Sequence, residues 1–181
     1  MATKNAVFMR LVAFCKRLIR SEKRGLSMER GKKRVVDSQL ESVHLVRMNH
    51  LNSAGRLFGG QLMQWIDETA AMAAKRHAHR PIITASFNNL QFLRGAYPGD
   101  TVVLKAKIVY AGHTSMDVKV ETYAETVTGE QFLINCAYAT EVAVGEDGKP
   151  TIVPELIIET EEEQYEWDRS VLRRELRKKH G

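Results

Sequence analysis

The chain has 181 residues, which is enough for one domain with a hydrophobic core and too few for two ordinary domains. It is 44% hydrophobic and 27% charged, as in soluble globular proteins, and no apolar run approaches the roughly 20 residues of a membrane span. Residues 1–34 hold 11 basic and 2 acidic residues, whereas the rest of the chain holds 16 basic and 20 acidic residues. The net charge of +5 therefore comes from the N-terminal segment, and it gives no reason to expect nucleic-acid binding by the domain.

Two cysteines, Cys15 and Cys136, are too few for a disulfide framework or a cysteine zinc site. A reducing compartment follows as the expectation, and we place the protein in the cytoplasm.

Residues 1–34 form a basic extension that differs from the rest of the chain. Val7, Leu11 and Leu18 follow helical spacing with arginines on another face, which is typical of a membrane-surface helix or an organellar presequence. We favour a loosely ordered extension, with Met28 as an alternative start, because short isolated helices are marginally stable. Membrane contact through residues 1–34 is therefore the alternative and not the expectation.

The first elements of the domain, in chain order, are a strand over residues 38–46, a turn over 49–55 and a long helix over 59–76. The helix is apolar nearly all round, which predicts burial on several sides. Its alanines would let a sheet approach closely.

Only strands are predicted after Pro81, until the C-terminal segment. Residues 82–92 form the first of them, with an irregularity at Asn88 and Asn89. Further strands are predicted around residues 104–110, 116–121 and 132–142, joined by turns. The order of elements predicts an α+β fold over residues 35–158, with one long central helix against a curved antiparallel sheet of about five to six strands. Residues 159–181 are acidic and then basic, which suits a charged C-terminal helix.

A carboxylate lies in the middle of the long helix, at Asp67. A charged group on an apolar, alanine-rich helix is costly unless it is paired or used chemically. Gly59 and Gly60 begin the helix, and Asn52 lies in the turn upstream. Helix N-terminal N–H groups can polarise a carbonyl, a carboxylate can act as general base or nucleophile, and an amide can hold water or a carbonyl. The pattern alone leaves Glu68 as a rival carboxylate, an exposed surface position for Asp67, and purely turn-forming roles for Asn52 and the glycines.

The segment from Asn52 to Asp67 resembles the signature of the hot-dog acyl-CoA thioesterases, which include bacterial single-domain hydrolases and the cytosolic acyl-CoA hydrolases of animals. Further segments similar to that family are residues 84–87, 112–116, 148–150, 153–154 and 160–163, so the resemblance covers roughly residues 38–177. It implies the hot-dog fold and hydrolysis of acyl-CoA to CoA and a free fatty acid, with no metal or organic cofactor. It also implies that Asn52 and Asp67 act together from opposite subunits of a dimer, often within a trimer of dimers.

The resemblance also implies contacts to coenzyme A. Strand-edge N–H groups and hydroxyls can bind the amides of its pantetheine arm, and guanidinium groups suit its phosphates. The residues expected to make these contacts are Ala85, Ser86, Phe87, Thr114, Ser115, Met116, Arg173, Arg174 and Arg177. Ordinary strand and turn chemistry for the hydroxyls, and a solvated tail for the arginines, are the structural alternatives.

Two other functions fit the same fold. A non-catalytic acyl-CoA sensor would use residues 1–34 to contact DNA or a membrane, but such an arm is short for a helix-turn-helix module. A hydratase would use a histidine with an acidic partner, and the helix region offers no convincing histidine. His77 and His79 are two residues apart, which does not place two metal ligands on one helix face, and no GxSxG motif indicates a serine hydrolase. These patterns do not fix the acyl chain length, the assembly beyond a dimer or any regulation by nucleotides.

Overall fold

The computed structural model describes residues 30–180. In chain order, these residues form β1 (Lys32–Arg34), β2 (Leu40–Leu45), α1 (Gly59–Ala78), β3 (Ile82–Phe92), β4 (Thr101–Ala111), β5 (Ser115–Glu125), β6 (Gln131–Ala143), β7 (Glu155–Ile157) and α2 (Glu161–His180). Single 3₁₀ turns at Val36–Ser38 and Met48–His50 flank β2. The predicted α+β order of strand, long helix and antiparallel meander is confirmed.

Five strands form one antiparallel sheet in the order β2–β4–β5–β6–β3. Among the described strands, β3 pairs only with β6, so it lies at an edge of the sheet. The register of β3 against β6 shifts between Thr84 and Ser86 and again between Asn88 and Gln91. Asn89 has a φ of 55°, a left-handed conformation that asparagine tolerates better than most residues. The irregularity predicted at Asn88 and Asn89 is therefore confirmed.

Helix α1 packs against one face of this sheet. Ala70, Ala73 and Ala74 are fully buried there, and these small side chains allow the close approach that the sequence predicts. Met63 and Met72, on the outer side of the helix, are 40% and 45% exposed. Within residues 30–180 the outer face of α1 is left uncovered, so the prediction of burial on several sides is wrong for this part of a single chain.

Helix α2 covers the opposite face of the sheet, and a buried ion pair holds it there. Asp117 of β5 is 2% exposed, and its two carboxylate oxygens each accept a hydrogen bond from the Arg174 guanidinium at 3.0 Å. Arg177 donates to Ser86 at 3.1 Å and to Thr140 at 2.9 Å. Paired, charge-assisted hydrogen bonds of this kind are strong and directional. They tie α2 to β3, β5 and β6.

The first described residues are part of this fold. Strand β1 pairs in parallel with β7, and Arg30 Nε donates to the carbonyl of Val153 at 3.0 Å. The extension predicted over residues 1–34 therefore ends earlier, because the backbone of residues 32–34 is held by pairing with a distant strand. Residues 1–29, which carry the membrane, presequence and start-site interpretations, lie outside the described residues. Within residues 30–180, no helix is both long and apolar enough to cross a membrane.

Replacing Arg174 with methionine should lower the free energy of unfolding by about 3 kcal/mol, since one partner of a buried ion pair would be lost. Among the described residues, the Asp117 carboxylate would keep Thr140 and the more distant Arg177, at 3.9 Å. Urea denaturation followed by circular dichroism measures the change. Arg34→Met is the control, because the Arg34–Asp37 pair lies on the surface and should contribute little. Equal losses in the two variants would contradict an anchoring role for Arg174.

Candidate active site

Asp67 lies midway along α1 and is half-buried where the helix meets the edge of the sheet. Its Oδ1 accepts a hydrogen bond from the hydroxyl of Thr84 on β3, at 2.7 Å. The rival carboxylate Glu68 is exposed and accepts a hydrogen bond from Gln64, at 2.9 Å. The structure thus separates the two carboxylates, because Asp67 faces the sheet and Glu68 forms a surface pair.

A second carboxylate, which sequence reasoning missed, lies beside Thr84. Glu141 of β6 is fully buried, and its Oε1 is 3.4 Å from the Thr84 hydroxyl oxygen. Burial and the neighbouring Asp67 charge raise the pKa of Glu141 to about 8, against the opposing effect of the Thr84 hydrogen bond. A signal was present in the sequence, since Glu141 is in phase with Ala139 and Ala143, which are both fully buried.

Asn52 lies in the turn before α1 and is exposed. Its Oδ1 accepts hydrogen bonds from the backbone N–H groups of Ala54, at 2.9 Å, and Arg56, at 3.3 Å. Because these backbone groups can only donate, the side-chain oxygen belongs to the turn and the NH₂ group remains as a donor. Asn52 is therefore a turn residue whose side-chain NH₂ group takes no part in the turn hydrogen bonds.

Gly59 and Gly60 begin α1 beside this turn. A methyl group at Gly60 would overlap the ring of Phe58, so this exposed ring would have to shift if the residue were larger. A cavity of about 310 Å³ opens at the helix start, and its lining includes Asn52, Gly59, Leu57, Leu62, Phe92 and Ile134. Asp67 is not among the residues that line it.

The length of α1 separates the candidate groups within one chain. Asp67 is eight residues from Gly59, which corresponds to about 12 Å along the helix axis. The helix N-terminus and the Asp67 carboxylate therefore cannot act on one carbonyl group within a single chain.

A β-bulge in β3 turns Thr84 and Ser86 to opposite faces of the sheet. Thr84 lies opposite Glu141 and Ser86 lies opposite Thr140, so Ala85 is an additional residue between them. Without the bulge, Thr84 and Ser86 would face the same side of the sheet. With it, Thr84 contacts Asp67 of α1, whereas Ser86 contacts the α2 side.

Five of the nine residues predicted to contact coenzyme A meet on the α2 side of the sheet. Ser115 accepts hydrogen bonds from Arg174 at 3.1 and 3.2 Å, and Ser86 accepts one from Arg177 at 3.1 Å. Arg173 lies over the ring of Tyr138, 3.8 Å from its centroid. The structure thus brings the predicted serines and arginines together, but it pairs them with protein groups.

The other predicted contacts have different environments. Met116 is fully buried in the core, so its side chain cannot reach a ligand. Thr114 is half-buried and its carbonyl accepts the N–H of Ala143, at 3.0 Å. Ala85 and Phe87 are half-buried on the edge strand.

His77 is held in the core between two elements. Its Nδ1 is 2.9 Å from the Ser38 hydroxyl and its Nε2 is 3.1 Å from the Pro154 carbonyl. Burial lowers the pKa of His77, so the ring is neutral, donates from Nε2 and accepts at Nδ1. In the part of the chain that the structure describes, no group of three or more His, Cys, Asp or Glu side chains could hold a metal ion.

Comparison with known proteins identifies the family. The family model described as the thioesterase superfamily matches residues 54–130. The uncharacterized acyl-CoA thioester hydrolase YkhA of Bacillus subtilis is 38% identical over 134 residues, which cover 72% of this chain and 78% of YkhA. The chain belongs to the hot-dog acyl-CoA thioesterases. As predicted, this thioesterase is a thioester hydrolase by family.

Solved structures share the fold of this thioesterase. An apo-hexameric acyl-CoA thioesterase has a TM-score of 0.80 at 36% identity, covering 83% of this chain and 97% of that one. Acyl-CoA hydrolase from Staphylococcus aureus, solved with butyryl coenzyme A and coenzyme A, has a TM-score of 0.76 at 33% identity, covering 82% and 92%. The thioesterase is also 33% identical to acetyl-coenzyme A thioesterase of Mus musculus over 72% of this chain, but it spans only 24% of that protein's length.

Three solved variants of the Staphylococcus aureus hydrolase carry alanine substitutions. They replace an asparagine, an aspartate fifteen residues later and a threonine seventeen residues after the aspartate. In this thioesterase Asn52, Asp67 and Thr84 are the same residue types at the same spacing. Thr84 was not among the predicted site residues, although its hydroxyl lies in a segment that resembles the family.

Replacing Thr84 with valine should lower the turnover of thioester hydrolysis by about 10- to 100-fold. The substitution keeps the shape of the side chain and removes a hydrogen bond to a carboxylate, which is worth about 1.5–3 kcal/mol. CoA release measured with a thiol reagent gives the rate. Thr84→Ser is the matched control, because it keeps the hydroxyl and should retain most of the activity. Similar rates in the valine and serine variants would show that the hydroxyl is dispensable.

Proposed function

We propose that this thioesterase hydrolyses acyl-CoA to coenzyme A and a free fatty acid, with Asp67 as the group that activates water. The observation that carries the proposal is the 2.7 Å hydrogen bond that holds the half-buried Asp67 carboxylate against Thr84. A carboxylate oriented in this way can accept a proton in a fixed direction. The names of the relatives and the butyryl coenzyme A complex of the Staphylococcus aureus hydrolase support acyl-CoA as the substrate.

In the proposed reaction, Asp67 accepts a proton from water as the water oxygen attacks the thioester carbonyl. The negative charge that forms on the carbonyl oxygen is stabilised by N–H groups at Gly59 and Gly60 and by the amide of Asn52. When the C–S bond breaks, the CoA thiolate leaves and takes the proton from Asp67. Direct attack by Asp67 is the other form of the mechanism, with CoA thiolate leaving first and water cleaving the resulting anhydride.

Two copies of the chain supply one site in this proposal. If two α1 helices pack antiparallel around a two-fold axis near Met63 and Gln64, residues equally far from the axis face each other. Gly60 and Asp67 are equally far from the midpoint between Met63 and Gln64. The start of one helix would then lie beside Asp67 of the partner subunit. The separation of about 12 Å along one helix, at about 1.5 Å per residue, would then no longer keep these groups apart.

The surface of the chain supports such a dimer. Phe58 and Met63 are 55% and 40% exposed at the start of α1, and Phe92 is 52% exposed at the end of β3. A long edge strand such as β3 leaves one row of backbone groups without a strand partner, and proteins generally cover or pair such edges. Several solved relatives are named as hexamers. We therefore infer a dimer as the minimal unit, assembled as a trimer of dimers.

The substrate contacts follow from the same arrangement. The cavity of about 310 Å³ at the helix start, lined by Leu57, Leu62 and Ile134 among others, would take the beginning of the acyl chain. Arg177, whose side chain is 34% exposed, and the edge of β3 around Ala85 would contact coenzyme A. The Arg174 side chain is 13% exposed and paired with Asp117, so its first role is to anchor α2. We propose no metal or organic cofactor, since Asp67 supplies the acid–base group, and Asn52 and the start of α1 supply the oxyanion donors. Cytoplasmic location stays a prediction.

Asp67→Asn and Asn52→Ala should each lower turnover by about 10²- to 10⁴-fold, the range expected for loss of acid–base or oxyanion assistance. Mixing the two inactive variants so that subunits exchange should restore about a quarter of the wild-type turnover, because half of the dimers are mixed and each has one complete site. CoA release measures the recovery.

Each variant alone, taken through the same mixing procedure, is the control for this complementation. Differently tagged subunits show that exchange has occurred. An inactive mixture with proven exchange would contradict the shared site, and wild-type turnover in Asp67→Asn would contradict the role of Asp67. Tight acyl-CoA binding by the wild type without CoA release would instead indicate a sensor.

A further inference from the structure

The buried carboxyl group of Glu141 is not used by the mechanism proposed above. We propose that Glu141 is a positioning residue: as a neutral carboxylic acid it donates a hydrogen bond to Thr84, which in turn holds Asp67, and ionisation of Glu141 at alkaline pH lowers turnover. This inference rests on the proposed role of Asp67. It adds a pH-dependent control of the same site.

The Thr84 hydroxyl can donate its proton to one of its two carboxyl neighbours. The shorter contact, at 2.7 Å, gives that proton to Asp67. Glu141 Oε1 lies 3.4 Å from the same oxygen, so an ionised Glu141 would compete with Asp67 for a single donor. A protonated Glu141 can instead donate to a lone pair of the Thr84 oxygen. The result is a continuous chain from the Glu141 O–H through Thr84 to the Asp67 carboxylate.

The described surroundings of Glu141 favour its neutral form. The residue is fully buried, and its Oε2 has no hydrogen-bond partner among the described residues. Its neighbours across the ladder, Thr84 of β3 and Met116 of β5, are uncharged, and the charged group that faces it is Asp67 of α1. No lysine or arginine of the described chain forms an ion pair with it. Burying an unpaired charge is costly, so the neutral form fits this position.

Burial and Asp67 raise the pKa of Glu141 to about 8 from its usual 4.5. Above that pH the Glu141 proton is lost, and two anions then face the single proton of Thr84. The Asp67 carboxylate would no longer be held in one orientation. Turnover of the wild type should therefore fall on the alkaline side as Glu141 ionises.

Two substitutions separate the donor from the charge. Glu141→Gln keeps a donor for Thr84 and cannot ionise, whereas Glu141→Met has similar length and no donor. We expect the alkaline fall in kcat of the wild type to be absent in Glu141→Gln. At pH 7, kcat of Glu141→Met should be about 3- to 10-fold below that of Glu141→Gln, as for loss of one hydrogen bond between neutral groups, with KM little different between them.

Thermal unfolding gives a readout that does not depend on hydrolysis. The folded pKa of Glu141 lies above the unfolded value, so the folded state keeps a proton that the unfolded chain has released. The stabilisation from this proton is fully present below pH 4.5 and is lost as the pH rises to about 8. The Tm of the wild type should therefore fall relative to that of Glu141→Gln between pH 5 and pH 8.

The outcomes distinguish this inference from the proposed function. An alkaline limb in Glu141→Gln equal to that of the wild type, or a Tm difference that does not change with pH, would overturn the role of Glu141. Asp67→Asn would still be inactive in that case. Wild-type turnover in Asp67→Asn would instead overturn the proposed function, and the Tm measurement would still report whether Glu141 is buried as an acid. If Glu141→Met does not fold, the wild type and Glu141→Gln alone decide the question.

Discussion

The close packing of α1 against the sheet is the constraint on which the rest of the site depends. Ala70, Ala73 and Ala74 are fully buried at this contact, and larger side chains would force the helix away from the strands. The approach brings Asp67 to within 2.7 Å of the Thr84 hydroxyl. A displacement of about 1 Å would lengthen this contact beyond hydrogen-bond distance. Helix packing and the orientation of the proposed catalytic group are therefore one feature of the fold.

The two faces of the sheet serve different purposes, and one irregular strand connects them. The bulge at Ala85 lets Thr84 face α1 while Ser86 faces α2. On the α2 side, the Asp117–Arg174 pair satisfies polar groups that would otherwise be buried without partners. The same helix reaches the edge strand that carries Thr84 through the hydrogen bond from Arg177 to Ser86. Strand β3 thus contacts Asp67 of α1 on one face of the sheet and Arg177 of α2 on the other.

Asp67 and Glu141 both lie beside the Thr84 hydroxyl, and two ionised carboxylates there would repel each other. The fold limits this repulsion in two ways. Asp67 remains half-buried and accepts the Thr84 proton, whereas burial raises the pKa of Glu141 so that the neutral form is favoured. Glu141 Oε2 still has no partner among the described residues. Such departures from full hydrogen bonding are concentrated at functional sites in proteins, where stability is exchanged for chemistry.

Local sequence patterns predicted the order of elements, the bounds of β3 at residues 82–92 and the irregularity at Asn88 and Asn89. Local periodicity and turn residues encode these features, since they depend on neighbours along the chain. The helical spacing also made Asp67 a candidate, but it could not choose between Asp67 and Glu68.

Which side chains meet in the site depends on long-range packing of the strands and helices. Strand register and the bulge at Ala85 place Thr84 between Asp67 and Glu141, and the docking of α2 commits Arg174 to Asp117. The pairing of β1 with β7 joins segments more than a hundred residues apart, which moved the start of the fold to before residue 34. A shift of one residue in a strand turns each side chain to the other face, so these contacts follow from long-range packing and not from local pattern.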